Sequence, residues 1–168
     1  MKMTVGFLSV GLVTASAWAA PVVSEVAVEQ NPATHDVMVS YELSEDAIVT
    51  GAFLTNGVPC DAPLHVNGDT WRVVRAGTGK KIAWNMAADL GDENASTCSV
   101  SARVSAWATD APPAYYVLDL ATAAKNFYET EGQLPGGIGS DAYRTTKMVF
   151  RRVPAAGATF TMGAPMSE

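Results

Sequence analysis

Val37-Met38-Val39-Ser40-Tyr41-Glu42-Leu43 sets an apolar side chain at every second position. A strand turns successive side chains to opposite faces, so this spacing predicts a strand with one dry face and one wet face. The neighbouring stretches read the same way. Val22, Val26 and Val28 lead into Asn31-Pro32. Ile48-Val49-Thr50-Gly51-Ala52-Phe53-Leu54 runs to Asn56-Gly57, and Thr70-Trp71-Arg72-Val73-Val74 follows Asn67-Gly68. Lys81-Ile82-Ala83-Trp84 and the alternating Val100, Ala102, Val104 and Ala106 complete about six short strands bounded by turn residues. Strands with one apolar face must stack two sheets to exclude water. The expected fold class is therefore mainly β, with residues 20–110 forming an immunoglobulin-like or fibronectin-type β-sandwich. Trp71, Trp84 and Trp107 are the natural core anchors. Their functional alternative is a platform on which a sugar stacks.

The chain has 168 residues, of which 48% are hydrophobic and 17% charged, and its net charge is −6. This composition is that of a globular protein, and the acidic balance repels polyphosphate, so no nucleic-acid partner is expected. Two cysteines and two histidines are too few for zinc fingers or iron–sulfur clusters. Residues 1–19 carry Lys2, an apolar run and the small-residue pattern Ala17-Trp18-Ala19, which is the form of a signal peptide cleaved after Ala19. The run is shorter than the roughly 20 apolar residues of a permanent span, so the expected location is secreted or periplasmic, with no transmembrane segment after processing. Processing would leave 10 basic against 17 acidic residues.

Export makes a disulfide between Cys60 and Cys98 possible. Closing that 38-position separation would restrict the unfolded chain by about 3–4 kcal/mol in the loop-entropy account. Two separate thiols are the other reading, and sequence leaves both open.

Pro112-Pro113 interrupts the strand pattern and reads as a boundary. Residues 111–147 are expected to form a linker with a short helix. Tyr115-Tyr116-Val117-Leu118 is a brief strand and Asp119 an N-cap. Leu120, Ala123, Ala124, Phe127 and Tyr128 lie on one helical face, and Gly132 stops the helix. From Lys147 to Val153 the pattern is again strand-like, and Thr159-Phe160-Thr161-Met162-Gly163 repeats it. This α+β segment is too small for a comfortable core of its own, so it is expected to begin a truncated second domain.

The stretch Met148 to Glu168 resembles the opening of the sulfatase-modifying-factor domain, the fold of formylglycine-generating enzymes. The resemblance is carried by Val153, Pro154, Gly157, Phe160, Met162, Gly163 and Glu168, and it covers about 20 residues. The spacing Ala155-Ala156-Gly157-Ala158 is looser than the usual form. The resemblance implies a copper-dependent oxidation of a substrate cysteine, but that chemistry depends on a cysteine pair far downstream of the opening motif. Cys60 and Cys98 precede the motif and do not inherit the role. The expectation is thus no catalytic residue, metal site or cofactor in this chain. Its expected partner is the missing C-terminal domain of the same polypeptide. The alternative is a stand-alone secreted module that binds an extracellular protein or glycan.

Other chemistry lacks its residues. Gly77-Thr78-Gly79-Lys80-Lys81 lacks the first glycine of a phosphate-binding loop, where Val74 stands, and reads as a hairpin turn. Asp89, Asp92 and Glu93 read as a solvated acidic loop rather than a calcium site. His35 and His65 each stand alone among turn residues, without a nucleophile to serve.

Overall fold

The computed structural model describes residues 20–61 and 63–153. The leader-like stretch, the Thr159–Gly163 strand and the motif residues Pro154, Gly157, Phe160, Met162, Gly163 and Glu168 lie outside the described residues. Within them the chain is mainly β, in three antiparallel sheets. The strands are β1 (Val23–Gln30), β2 (Asp36–Leu43), β3 (Ala47–Thr55), β4 (Val58–Pro59), β5 (Val66–Gly68), β6 (Arg72–Val74) and β7 (Gly77–Asn85). Two short helices, α1 (Met86–Leu90) and α2 (Asp92–Thr97), lead to β8 (Val100–Trp107). Then come β9 (Tyr115–Asp119), β10 (Lys125–Tyr128), a 3-10 turn (Glu131–Gln133), α3 (Ala142–Thr145) and β11 (Lys147–Arg151).

The first sheet has the order β1-β2-β7-β5. In the second, β8 runs along one whole edge of β3, while β4 and β6 share the other edge. The alternation in β2 is realised: Val37, Val39, Tyr41 and Leu43 are buried, and Met38 between them is exposed. Val37 pairs with Trp84 and Val39 with Ile82, so β2 and β7 offer one apolar face to the core. Val49 and Phe53 of β3 fill that core from the second sheet, with the Phe53 and Trp84 rings 4.8 Å apart. Burying such side chains contributes about 1.5–3 kcal/mol each. Strand β3 carries no charged residue and is covered on both faces along Ala47–Gly51. Its even positions Ile48 and Thr50 are buried as well, against the polypeptide that follows the prolines.

That second unit departs from the sequence expectation. No helix spans Leu120 to Tyr128. Strands β9 and β10 form a hairpin, with Leu118 opposite Lys125 and Tyr115 opposite Tyr128, and β11 pairs with the other edge of β9. The residues placed on a helical stripe are divided between a loop and a strand, and Leu120 is exposed. Cross-strand packing outweighs the modest helix preference of Ala121, Ala123 and Ala124. Tyr116 stacks on Phe150 at 4.5 Å with Phe127 beside it, and on the opposite face Val117 and Tyr128 pack with Trp71. Asp119 caps the loop rather than a helix: its Oδ1 accepts from the N–H groups of Ala121 and Thr122 and from the Thr122 hydroxyl, each at 3.0 Å. Gly132 lies inside the 3-10 turn and stops no helix.

The segment 111–147 is not a free linker, because it packs on the outer face of the second sheet. The Gly77–Lys81 stretch is not a hairpin turn either. It opens β7, which belongs to the first sheet, whereas the preceding β6 belongs to the second. Among the described residues no helix is long and apolar enough to cross a membrane.

Candidate functional site

The second unit meets the two-sheet body along a seam that begins at Trp71. This residue has φ of +57°, a left-handed conformation uncommon for a bulky side chain. The turn lets its N–H donate to the Val49 carbonyl of β3 at 2.6 Å while its own carbonyl accepts from the Phe127 N–H of β10 at 2.7 Å. The indole packs on Tyr128, ring centroids 5.2 Å apart, beside Val117 and Leu134. The indole N–H of Trp71 and the neighbouring Thr70 hydroxyl are buried without hydrogen-bond partners among the described residues.

Further along the seam, Glu129 reaches back to the second sheet. Its Oε1 accepts from the Thr50 hydroxyl and its Oε2 from the Arg103 guanidinium, both at 2.6 Å. Trp107 donates its indole N–H to the same Thr50 oxygen at 2.9 Å. The Glu129 side chain is only 10% exposed and that of Arg103 62%, so a nearly buried carboxylate is met by a cation that remains in water. Hydrogen bonds to an ionised group are the stronger kind, and here they join residues of β3 and β8 to the end of β10.

Beside this bridge lies a cleft of about 480 Å³. Its apolar floor comes from β3 and β4 through Ala52, Leu54 and Pro59, and its polar groups are Arg103, Asp61, Thr130 and Gln133, with Cys60 at the wall. Gln133 is 8% exposed. Its Oε1 accepts from the backbone N–H groups of Glu129 and Thr130, at 2.8 and 3.4 Å, which closes the 3-10 turn. Those two bonds fix which end of the amide is oxygen. They leave its NH2 group without a hydrogen-bond partner among the described residues, as the donor it can offer the cleft. Asp61 stands alongside: a Cβ on Gly132 would come within 2.7 Å of its Oδ1, a contact that the exposed Asp61 side chain would relieve by turning.

A second polar cluster gathers around Asp89. Asp89 is not solvated. Its carboxylate, 8% exposed, accepts from the Trp84 indole N–H and from His65 Nδ1, both at 2.7 Å, and from the backbone N–H groups of Leu64 and His65 at 3.3 Å. Burial alone would raise its pKa, but these hydrogen bonds outweigh it and hold the carboxyl below its ordinary value. His65 is therefore paired rather than alone. The signal for this pairing is spatial, since 24 positions separate the two residues.

Cys60 and Cys98 are both free thiols. They flank β3 on opposite edges, because the Cys60 N–H bonds the Phe53 carbonyl while Ser99, next to Cys98, bonds Asn56. Two strand spacings, roughly 10 Å, and about four residues of rise separate them, far beyond the ~5.5 Å between bridged Cα atoms. Burial, with Asp89 and Asp61 adding to it, pushes the Cys60 thiol pKa up and away from the reactive thiolate. Trp71 and Trp84 are both buried, so neither offers a ring face to a sugar. Among the described residues, no three His, Cys, Asp or Glu side chains gather as a metal site requires.

No protein-family model, no curated protein and no solved structure matches this chain.

Proposed function

We propose that this chain is the exported N-terminal region of a sulfatase-modifying-factor-like protein, in which an immunoglobulin- or fibronectin-like sandwich acts as a non-catalytic spacer and interaction module. The signal-like residues 1–19 support export to a secreted or periplasmic location, and the motif in 148–168 supports the domain that follows. The observation that carries the reading is the outer face of the third sheet. Phe127, Tyr116 and Phe150 stand there in one row, with Met148 46% exposed in the next row, and the chain leaves this same sheet through β11 toward the motif residues. An apolar face at the exit of a module is what a following domain covers.

The bridging role is further supported by the seam. Trp71 and Glu129 tie the third sheet to the body, so the unit would hold whatever follows at a set distance and angle. Tyr116 and Phe150 stack at 7° on one another, which occupies the ring faces that a sugar would need. Among the alternatives for a stand-alone module, this favours a protein partner over a glycan.

The test is the nucleotide sequence downstream of the codon for Glu168. A reading frame that runs on through the remainder of a sulfatase-modifying-factor domain is the expected result. A stop codon directly after Glu168 overturns the proposal and leaves the stand-alone binding module.

A further inference from the structure

Resting on the reading of this chain as an interaction module, we propose that the cleft beside Gln133 binds an uncharged peptide segment. A backbone amide of that segment would lie between Gln133 and Asp61, with an apolar side chain against Leu54 and Pro59.

Gln133 is 8% exposed, and its NH2 stands at the cleft surface with no acceptor among the described residues. A donor held in this way is met by water until an acceptor from outside displaces it. The Gln133 oxygen is already committed to Glu129 and Thr130, so what the cleft receives is the N–H donor. Arg103 adds further N–H groups, since Glu129 engages one of its nitrogens. The Asp61 carboxylate beside Gly132 supplies the acceptor. A donor next to an acceptor is the complement of a peptide group, whose carbonyl accepts and whose N–H donates.

Charge narrows the ligand. The Arg103 cation is countered by Glu129 at 2.6 Å, Asp61 is anionic, and the whole chain carries −6, so an added carboxylate would be repelled. The floor narrows it further. Ala52, Leu54 and Pro59 are aliphatic, and Phe53, the ring among the lining residues, is 2% exposed, so no open ring face is offered to a sugar, but there is room for a leucine-sized side chain.

The experiment titrates the ¹⁵N-labelled protein with N-acetyl-leucine-N-methylamide, following the side-chain NH2 signals of Gln133, with N-acetylglucosamine as the competing chemistry. A saturable shift is expected with the peptide probe, with a Kd on the order of 1 mM for a ligand of this size. In Gln133→Glu, one oxygen still accepts from Glu129 and Thr130 while the other replaces the donor with an acceptor. Binding there, followed on the backbone signals of residues 52–54, should weaken by roughly tenfold. A second measurement uses the unaltered protein and so does not depend on the variant folding. At saturating probe, alkylation of Cys60 should slow at least about twofold while that of Cys98, across β3, stays unchanged. No saturation with the peptide probe, binding of N-acetylglucosamine alone, equal affinity in Gln133→Glu, or equal effects on both thiols would each overturn the proposal. The downstream reading frame is read separately, so failure here leaves that result intact.

Discussion

The hydroxyl of Thr50, buried in the middle of β3, donates to the carboxylate of Glu129 at 2.6 Å across 79 positions of sequence. Through that contact a residue at the end of β10, in the third sheet, becomes part of the outer layer of the second. Four groups converge on it: the Trp107 indole, the Thr50 hydroxyl, the Glu129 carboxylate and the Arg103 guanidinium.

Removing the carboxylate should therefore loosen the seam. Glu129→Ala leaves the buried Thr50 hydroxyl without its acceptor and is expected to destabilise the protein by about 2–3 kcal/mol, with Glu129→Gln costing less because an oxygen remains. The Arg103 contribution is small, since its guanidinium stays in water. Urea titration followed by tryptophan fluorescence measures both. A loss below ~0.5 kcal/mol for the alanine variant would show that the seam is held by Trp71 and Tyr128 alone.

Asp89 sets the acid side of the stability profile. Its folded pKa is depressed relative to the unfolded value of about 3.9, so its contribution is present above that value and is lost as pH falls through the lower folded pKa. The urea midpoint of the natural protein should fall steeply below about pH 4. In Asp89→Asn the protein should be weaker at neutral pH and its acid limb flatter. Parallel acid limbs in the two proteins would assign the loss to other carboxylates.

Ala123 distinguishes the hairpin from the helix that its surroundings predict. It has φ of +58° in the loop between β9 and β10, where a Cβ is strained and glycine is not. Ala123→Gly should raise stability by up to about 1 kcal/mol. In a helix the same change would lower it by about 1 kcal/mol. The sign of the shift in thermal midpoint decides between the two structures.

Tyr41 and Tyr128 shape the alkaline side. Burial raises both phenol pKa values, with Asp69 adding to the effect at Tyr41 and Tyr143 at Tyr128. A group whose folded pKa lies above its unfolded value of about 10 contributes stability below that pH and loses it above. Absorbance titration should show these two phenols ionising only together with unfolding, whereas free titration of all five tyrosines near pH 10 would contradict the packing.

Cys60 and Cys98 should behave as two thiols. The protein is expected to have the same intact mass with and without reductant and to accept two alkyl groups after unfolding, with Cys60 the slower in the folded state. A mass difference on reduction would require β3 to be displaced from between them.

Much of the two-sheet body is legible in the chain itself. The period-2 apolar positions of β2 and the Ile82–Trp84 pair name the core before any coordinates do, because a strand that is wet on one face must write its burial into alternate residues. Strand β11 is legible as a short apolar run, Met148-Val149-Phe150, between charged residues. The β9–β10 hairpin is not. Residues 120–128 satisfy a helical spacing, and what overrides it is Trp71, Val149 and Phe150, remote in sequence, which supply the other side of the contact. The candidate site is illegible on the same grounds. Gln133, Asp61, Arg103 and Glu129 carry no motif; their chemistry comes from being brought together, and His65 acquires its partner only when Asp89 folds beneath it. Local alternation can state which face of a strand is dry, since that depends on neighbours along the chain. Which remote surface covers that face, and which polar groups the covering leaves paired or unpaired, is decided by packing in three dimensions.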